Sequence, residues 1–252
     1  MKVSSTILLV SSLYQAGQTV GSACAPDAFP SINASSFKIA AVREPPPNFA
    51  LPVGLNKTWV DLNLNATITQ AIEIIEEAKA DGVSLLAFPE LYFPGYPVVS
   101  SYHVHRRCLC PGVLEPLTCM PWQAINTAYT PENIAQYVEQ SMSVDSPNFQ
   151  RLVNAFRNAT MYGSFGFSEI GDDAIFMAQA LIGPDGSILI HRRKLRPSGV
   201  ERDIWSDGDA SGLVVETTPY GRMGMLECWE HFHVSTGLSS SRGLPKKKEE
   251  QP

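Results

Sequence analysis

Three short segments place a reactive side chain where an apolar, strand-like run stops. Met225-Leu226-Glu227-Cys228-Trp229-Glu230-His231 puts a thiol beside carboxylates and an imidazole. Phe88-Pro89-Glu90-Leu91 closes the run Val83-Ser84-Leu85-Leu86-Ala87, and His191-Arg192-Arg193-Lys194-Leu195 closes Ser187-Ile188-Leu189-Ile190. A carboxylate, an amine and a thiol, each at the carboxyl end of a predicted strand, are the parts needed for covalent hydrolysis of a carbon–nitrogen bond. Thiolate attack on a nitrile or amide carbon builds negative charge, which a fixed ammonium stabilises; losing one such donor commonly costs about 10²–10³ in rate. The carboxylate can take the thiol proton and later activate water. The ammonium is also expected to lower the thiol pKa and raise the thiolate fraction.

Each residue alone has a plainer reading. A buried cysteine is usually an inert small hydrophobe, although the polar company of Glu227, Glu230 and His231 favours a nucleophile at Cys228. Glu90 could be a solvated cap at a strand end. Lys194 is one of several cations in its run, most of which are expected at the surface. Together the three make one coherent site.

The elements that would position them alternate between strand and helix. Phe37 to Val42 reads as a first strand. Asn65 is expected to cap a helix running to Ala80, with Ile68, Ala71, Ile72, Ile75 and Ala78 on one face and Gly82 past its end. Val83 to Phe88 is a continuous apolar run, as a buried strand of an α/β sheet should be. Proline-led helices are expected over 131–141, with Ile134, Tyr137 and Val138 on its apolar face, and over 147–160, with Phe149, Leu152, Val153 and Phe156. Strands follow over 161–170, 174–183 and 187–192, the last two joined by the turn Pro184-Asp185-Gly186. A further strand pair spans 213–218 and 222–227, and Cys228 begins a strand-to-helix elbow.

Composition narrows the classes. With 252 residues and 44% hydrophobic content, the chain can bury one substantial core. A net charge of −6 argues against a nucleic-acid partner, and the one dense basic run, Lys246-Lys247-Lys248, is followed at once by Glu249-Glu250. No apolar stretch approaches the ~20 residues that span a bilayer, so no membrane partner is expected. Residues 1–25 read equally as a secretory signal peptide or a disordered extension. Glycosylation sequons at Asn33, Asn56, Asn65 and Asn158 favour secretion, which stays open. Cys108, Cys110 and Cys119 lie near His103 and His105, but their spacing matches no closed zinc pattern, and a loop with incidental cysteines is the plainer reading.

The motifs resemble those of the nitrilase superfamily of carbon–nitrogen hydrolases, and within it the nitrilase branch. The matching segments are FKIAAV over 37–42, the stretch 65–97 with FPELYFPGYP, and SMSVDSPNFQR, HRRKLRPSGVER, WSDGDASGL and CWEH within 139–231. The resemblance implies an α/β fold, the nitrilase-like α-β-β-α sandwich, over 36–234. It implies Glu90 as general base, Lys194 as stabiliser of the tetrahedral intermediate and Cys228 as nucleophile. Glu201 would position the lysine, the alternative being a surface ion pair with Arg202 or Arg196. Trp229 and Glu230 after the cysteine look like those of fungal-type arylacetonitrilases and cyanide hydratases.

The implied reaction converts a small-molecule nitrile to its carboxylic acid and ammonia without metal or organic cofactor. An amidase or cyanide hydratase using the same triad is the alternative within enzymes. The family also implies a cytoplasmic homo-oligomer. Stretches 43–59 and 102–126 read as insertions. After Cys228 the chain runs into a Ser-, Lys- and Pro-rich segment, 235–252, expected to be a disordered tail. The resemblance therefore marks the chain as incomplete at its C-terminus, and an inactive family member is a further alternative.

Overall fold

The computed structural model describes residues 7–10, 37–47, 62–97 and 131–232. The His103–Cys119 cluster, the stretches 48–59 and 102–126, the sequons at Asn33 and Asn56, and the tail 235–252 lie outside the described residues, as does most of 1–25.

A six-stranded mixed sheet runs in the order β1 to β6. Strand β1 (Ile7–Val10) pairs antiparallel with β2 (Ile39–Val42), so the segment read as leader or extension contributes a strand to the edge of the sheet. Strands β2, β3 (Leu85–Ala87) and β4 (Tyr162–Ile170) are parallel neighbours; β4, β5 (Ile175–Ile182) and β6 (Ile188–Arg193) are antiparallel. The expected turn joins β5 to β6. Gly186 takes φ +85, and Asp185 accepts hydrogen bonds from the amide and hydroxyl of Ser187. Just beyond it the pairing shifts by one residue. Ile182 faces Ile188 but Leu181 faces Ile190, which leaves Leu189 as the extra residue of a bulge.

Helix α1 (Leu64–Ala80) buries Leu64, Thr67, Ile68, Ala71, Ile74, Ile75 and Ala78. Its cap is Asn63, whose side chain accepts from the Ala66 amide; the expected cap, Asn65, instead accepts from Arg151 at 2.6 Å. The extended backbone that a cap requires falls at Asn63, two positions before the expected residue. Helix α2 (Pro131–Glu139) buries Tyr137, and helix α3 (Pro147–Ala159) buries Phe149, Leu152, Val153 and Phe156. Of the two sequons on described residues, both Asn65 and Asn158 lie on helices. Among the described residues, no helix is long and apolar enough to cross a membrane.

Alternation along the strands gives the large sheet two different faces. Phe165, Phe167, Ala178, Ala180 and Ile182 face α1 and α3 and form the main core with Leu86, Phe149 and Phe156. Each such aromatic side chain contributes roughly 1.5–3 kcal/mol on burial. The opposite face carries Gly166, Ser168, Met177, Gln179, Arg192 and the residues that follow β6. Above its apolar end, Leu181 and Ile190 pack with Met225 and Met223. That brings in the second sheet, a hairpin of β7 (Val215–Thr218) and β8 (Gly221–Gly224). The layers are thus helices, sheet and hairpin. Among the described residues the second sheet has two strands, and no helix covers it.

Candidate active site

The run His191-Arg192-Arg193-Lys194 is divided by the pleat. His191 and Arg193 stand opposite Ala180 and Ala178 on the helix-facing side, where both reach Glu169, at 2.9 and 2.8 Å. Arg192 stands opposite Gln179 on the other side and is 2% exposed, while Lys194 is 1% exposed. The expectation that most of these cations lie at the surface is overturned. Period-two alternation sends each basic side chain to a carboxylate on its own side of the sheet, with Arg192 and Lys194 buried and the side chains of His191 and Arg193 34% and 33% exposed.

On the second face, Gly166, Gln179 and Arg192 are cross-strand neighbours in one row. Glu90 follows β3 in a turn that passes directly over Gly166. A Cβ at Gly166 would lie 2.8 Å from both Glu90 Cα and the Leu91 amide, so the backbone approaches only because no side chain intervenes. The carboxylate of Glu90 accepts from Lys194 Nζ at 2.6 Å. The same ammonium donates to Glu201 Oε2 at 2.9 Å. Glu201 is itself held by the Ser198 amide at 2.6 Å and by the Tyr96 hydroxyl at 2.8 Å on its other oxygen. The alternative of a surface ion pair for Glu201 is excluded, since Arg202 donates to the Pro197 carbonyl and Arg196 lies 3.9 Å from Asp207. Gly208 passes close above the Lys194 carbonyl and donates its amide to it at 2.9 Å, so part of the WSDGDASGL segment helps hold the lysine backbone.

Cys228 opens a short 3₁₀ turn, Cys228–Phe232, with φ +45, a backbone conformation that few non-glycine residues adopt. The expected elbow is present, but the strand that should run into it stops at Gly224, and Met225 to Glu227 carry the chain to the thiol outside any strand. The thiol is exposed, not packed in the core, and Glu90 and Lys194 lie near enough for their charges to act on it. Glu230 fixes the elbow. Its carboxylate takes both terminal nitrogens of Arg192, at 2.6 and 2.8 Å, and accepts from the amides of Leu195 and Glu227 at 2.8 Å each. Gln179 ties the preceding Leu226 carbonyl down at 3.2 Å and accepts from Arg192 at 3.0 Å.

Trp229, by contrast, is 55% exposed and leans on Phe232, so the structure does not gather it with the other candidates. Sequence reasoning missed Gly166, Gln179, Arg192 and Tyr96. For Arg192 the signal was available in the alternation of its run; for Gly166 and Gln179 it required the strand register, and for Tyr96 the tertiary contact with Glu201.

The electrostatics depart from expectation in one respect. Although the residue is exposed overall, partial desolvation pushes the Cys228 thiol up and the neighbouring Glu90 charge adds to it, while Lys194 only partly opposes them. The thiol is therefore not a ready thiolate. Burial likewise raises Glu90 above the usual carboxylate range despite the pull of Lys194, which makes it a stronger base. Burial works against the Lys194 charge, but Glu90 and Glu201 outweigh it, and the ammonium is held charged more firmly than a free lysine. The arrangement suits transfer of the thiol proton to Glu90 as sulfur attacks, beside a permanent positive charge. Among the described residues, no group of three or more His, Cys, Asp or Glu side chains could hold a metal ion.

A family model described as carbon-nitrogen hydrolase matches residues 38–238. An aliphatic nitrilase of Rhodococcus rhodochrous is 35% identical over 202 residues, which are 80% of this chain and 46% of that protein. A cyanide hydratase of Armillaria gallica is 34% identical over 201 residues, 79% of this chain and 47% of that protein. The crystal structure of an amidase from Nesterenkonia sp. matches with a TM-score of 0.51 at 16% identity, over 82% of this chain and 62% of that chain; the likeness is one of fold. The chain spans about half the length of the curated relatives it matches.

Proposed function

The chain belongs to the carbon-nitrogen hydrolase family, and from that premise we propose that it hydrolyses a small organic nitrile to the carboxylic acid and ammonia, with Cys228 as nucleophile, Glu90 as general base and Lys194 as charge stabiliser. What carries the reading is the position of Lys194 Nζ, 2.6 Å from Glu90 and 2.9 Å from Glu201, in a cluster that also includes the Cys228 thiol.

Sulfur attacks the nitrile carbon as its proton passes to Glu90, and that proton is returned to the nitrogen to give a thioimidate. Glu90 then takes a proton from water, which adds to the same carbon. The carbon–nitrogen bond breaks as the hydroxyl of the adduct gives up its proton; nitrogen takes that proton together with the one returned by Glu90 and leaves as ammonia, and a thioester remains. A second water, activated in the same way, displaces the thiol and releases the acid. At each addition, negative charge develops beside the Lys194 ammonium, which needs no reorganisation to meet it. Glu201 and Glu230 act as supports, one behind the lysine and one beneath the elbow. If the carbon–sulfur bond breaks before the carbon–nitrogen bond, the product is an amide, the outcome for a hydratase.

The same reading takes residues 36–234 as one hydrolase domain and the working form as a homo-oligomer, for which light scattering on the purified chain is the measurement. The activity test is ammonia release from phenylacetonitrile, from phenylacetamide and amide release from cyanide, each beside Cys228→Ala. Ammonia from the nitrile in wild type and none in the variant supports nitrile hydrolysis. Preferential turnover of the amide, or amide formation from cyanide, would reassign the substrate while keeping the site. Equal signals in both proteins would end the reading.

A further inference from the structure

Glu227, the residue directly before the nucleophile, is 1% exposed, and neither of its carboxyl oxygens meets a hydrogen-bond donor among the described residues. An ionised carboxylate removed from water and given no donor is among the most costly groups to place inside a protein. Among the described residues, the surrounding charges leave no free cation for it. Arg192 on β6 commits one terminal nitrogen to Glu230 and the other to Glu230 and Gln179 together. Its Nε has no hydrogen-bond partner among the described residues, and the guanidinium acts on Glu227 through its field alone. Lys194, after β6, is divided between Glu90, after β3, and Glu201. Glu230 faces the residue from the elbow itself, and its carboxylate receives the Glu227 amide. Two cations therefore already face three carboxylates before Glu227 is counted.

We propose that Glu227 stands behind the nucleophile as an uncharged carboxylic acid, a positioning residue that leaves the negative charge next to the sulfur to Glu90. In agreement, burial, followed by the field of Glu90, drives its carboxyl well above the usual range against the pull of Arg192 and Lys194. Its role follows from what its ionisation would do. A second anion beside Cys228 would oppose both loss of the thiol proton and the negative charge of each tetrahedral centre. Activity is then lost on the alkaline side as Glu227 releases its proton.

The protonation arm of the test is independent of the proposed hydrolysis. The pH arm rests on it. Infrared difference spectra of the full chain at neutral pH are expected to show the carbonyl stretch of a protonated, buried carboxyl group, lost in Glu227→Gln. Circular dichroism reports whether that variant folds. If it does not, carboxyl-carbon NMR of wild type labelled at glutamate reads the same group as a resonance titrating above neutrality. Absence of any such signal, or its persistence in folded Glu227→Gln, overturns the proposal.

In the kinetic arm, the alkaline limb of kcat/KM is expected to move up by about one pH unit or more in Glu227→Gln. An unmoved limb overturns the positioning role. Should neither protein hydrolyse any nitrile or amide, the spectrum still decides the charge state of Glu227, and the failure belongs to the assigned reaction.

Discussion

Arg192 grips Glu230 with both terminal nitrogens, at 2.6 and 2.8 Å, inside a site where both side chains are almost wholly buried. The strand that delivers Lys194 is thereby fastened to the turn that presents Cys228. Glu230 completes the link by receiving the amides of Leu195 and Glu227, one from each segment. Lysine in place of Arg192 keeps the charge but cannot form the fork. Arg192→Lys is expected to lower stability by about 2–4 kcal/mol in urea unfolding, because it leaves a buried carboxylate poorly matched. Reactivity of Cys228 towards iodoacetamide should change with it, as the elbow loosens.

Removal of the ammonium separates binding from chemistry. Lys194→Met leaves Glu90 and Glu201 facing each other without their shared cation. The rate of ammonia release is expected to fall by about 10²–10³ or more, the range for loss of one preorganised donor. Steady-state kinetics beside circular dichroism distinguish this from unfolding.

Tyr96→Phe keeps the ring against Trp205, 6.1 Å away centre to centre, and deletes only the hydroxyl that reaches Glu201. Without that donor, Glu201 draws the lysine more strongly and Glu90 less firmly shares it. The expected result is a modest fall in kcat, roughly threefold to tenfold, in line with a hydrogen bond to a charged group. KM should change little, and an unchanged kcat would refute the coupling.

Gly166→Ala tests the close passage over β4. The added carbon would meet backbone, not a flexible side-chain tip, so Glu90 must be displaced. A loss of about 1–3 kcal/mol in stability is expected from such overpacking, together with a fall in activity larger than stability alone explains.

Stability should respond to pH in opposite senses around Glu230 and Glu227. Burial acts to raise Glu230, but Arg192 outweighs it and the folded value is depressed. Its contribution is complete above the unfolded glutamate value and is lost as pH falls through the lower folded one. Glu227 is raised, so its contribution declines as pH rises from the unfolded value towards the folded one. Glu227→Gln should therefore gain stability over wild type at neutral pH and none in acid, where both forms are uncharged. The acid limb of activity belongs to Glu90 and should lie above the ordinary glutamate range, since burial raises it. Urea unfolding and kcat/KM across the same pH series check both signs.

Glu90, Lys194 and Cys228 were legible because each sits in a short motif at the end of an apolar run, and such runs announce strands without any knowledge of pairing. The buried stripe of α3 was legible for the same reason, as Phe149, Leu152, Val153 and Phe156 follow helical spacing alone. Gly166 and Gln179 were not, because their importance comes from standing in one row with Arg192 across three strands. That neighbourhood exists only once register is set. The thiol's electrostatics were also misjudged from sequence. Lys194 was counted and burial was not, although burial is the larger influence.

The bulge at Leu189 has a consequence for how this protein can change. If the strand were drawn straight and that residue took an ordinary place opposite Leu181, everything after it would slide one step along β5. Arg192 would then stand opposite Ala178 and Lys194 opposite Phe176, on the side packed by helices, while His191 and Arg193 turned towards the thiol. The irregularity therefore works as a phase setting, and inheritance of the lysine motif alone would not preserve the chemistry without the kink five positions upstream.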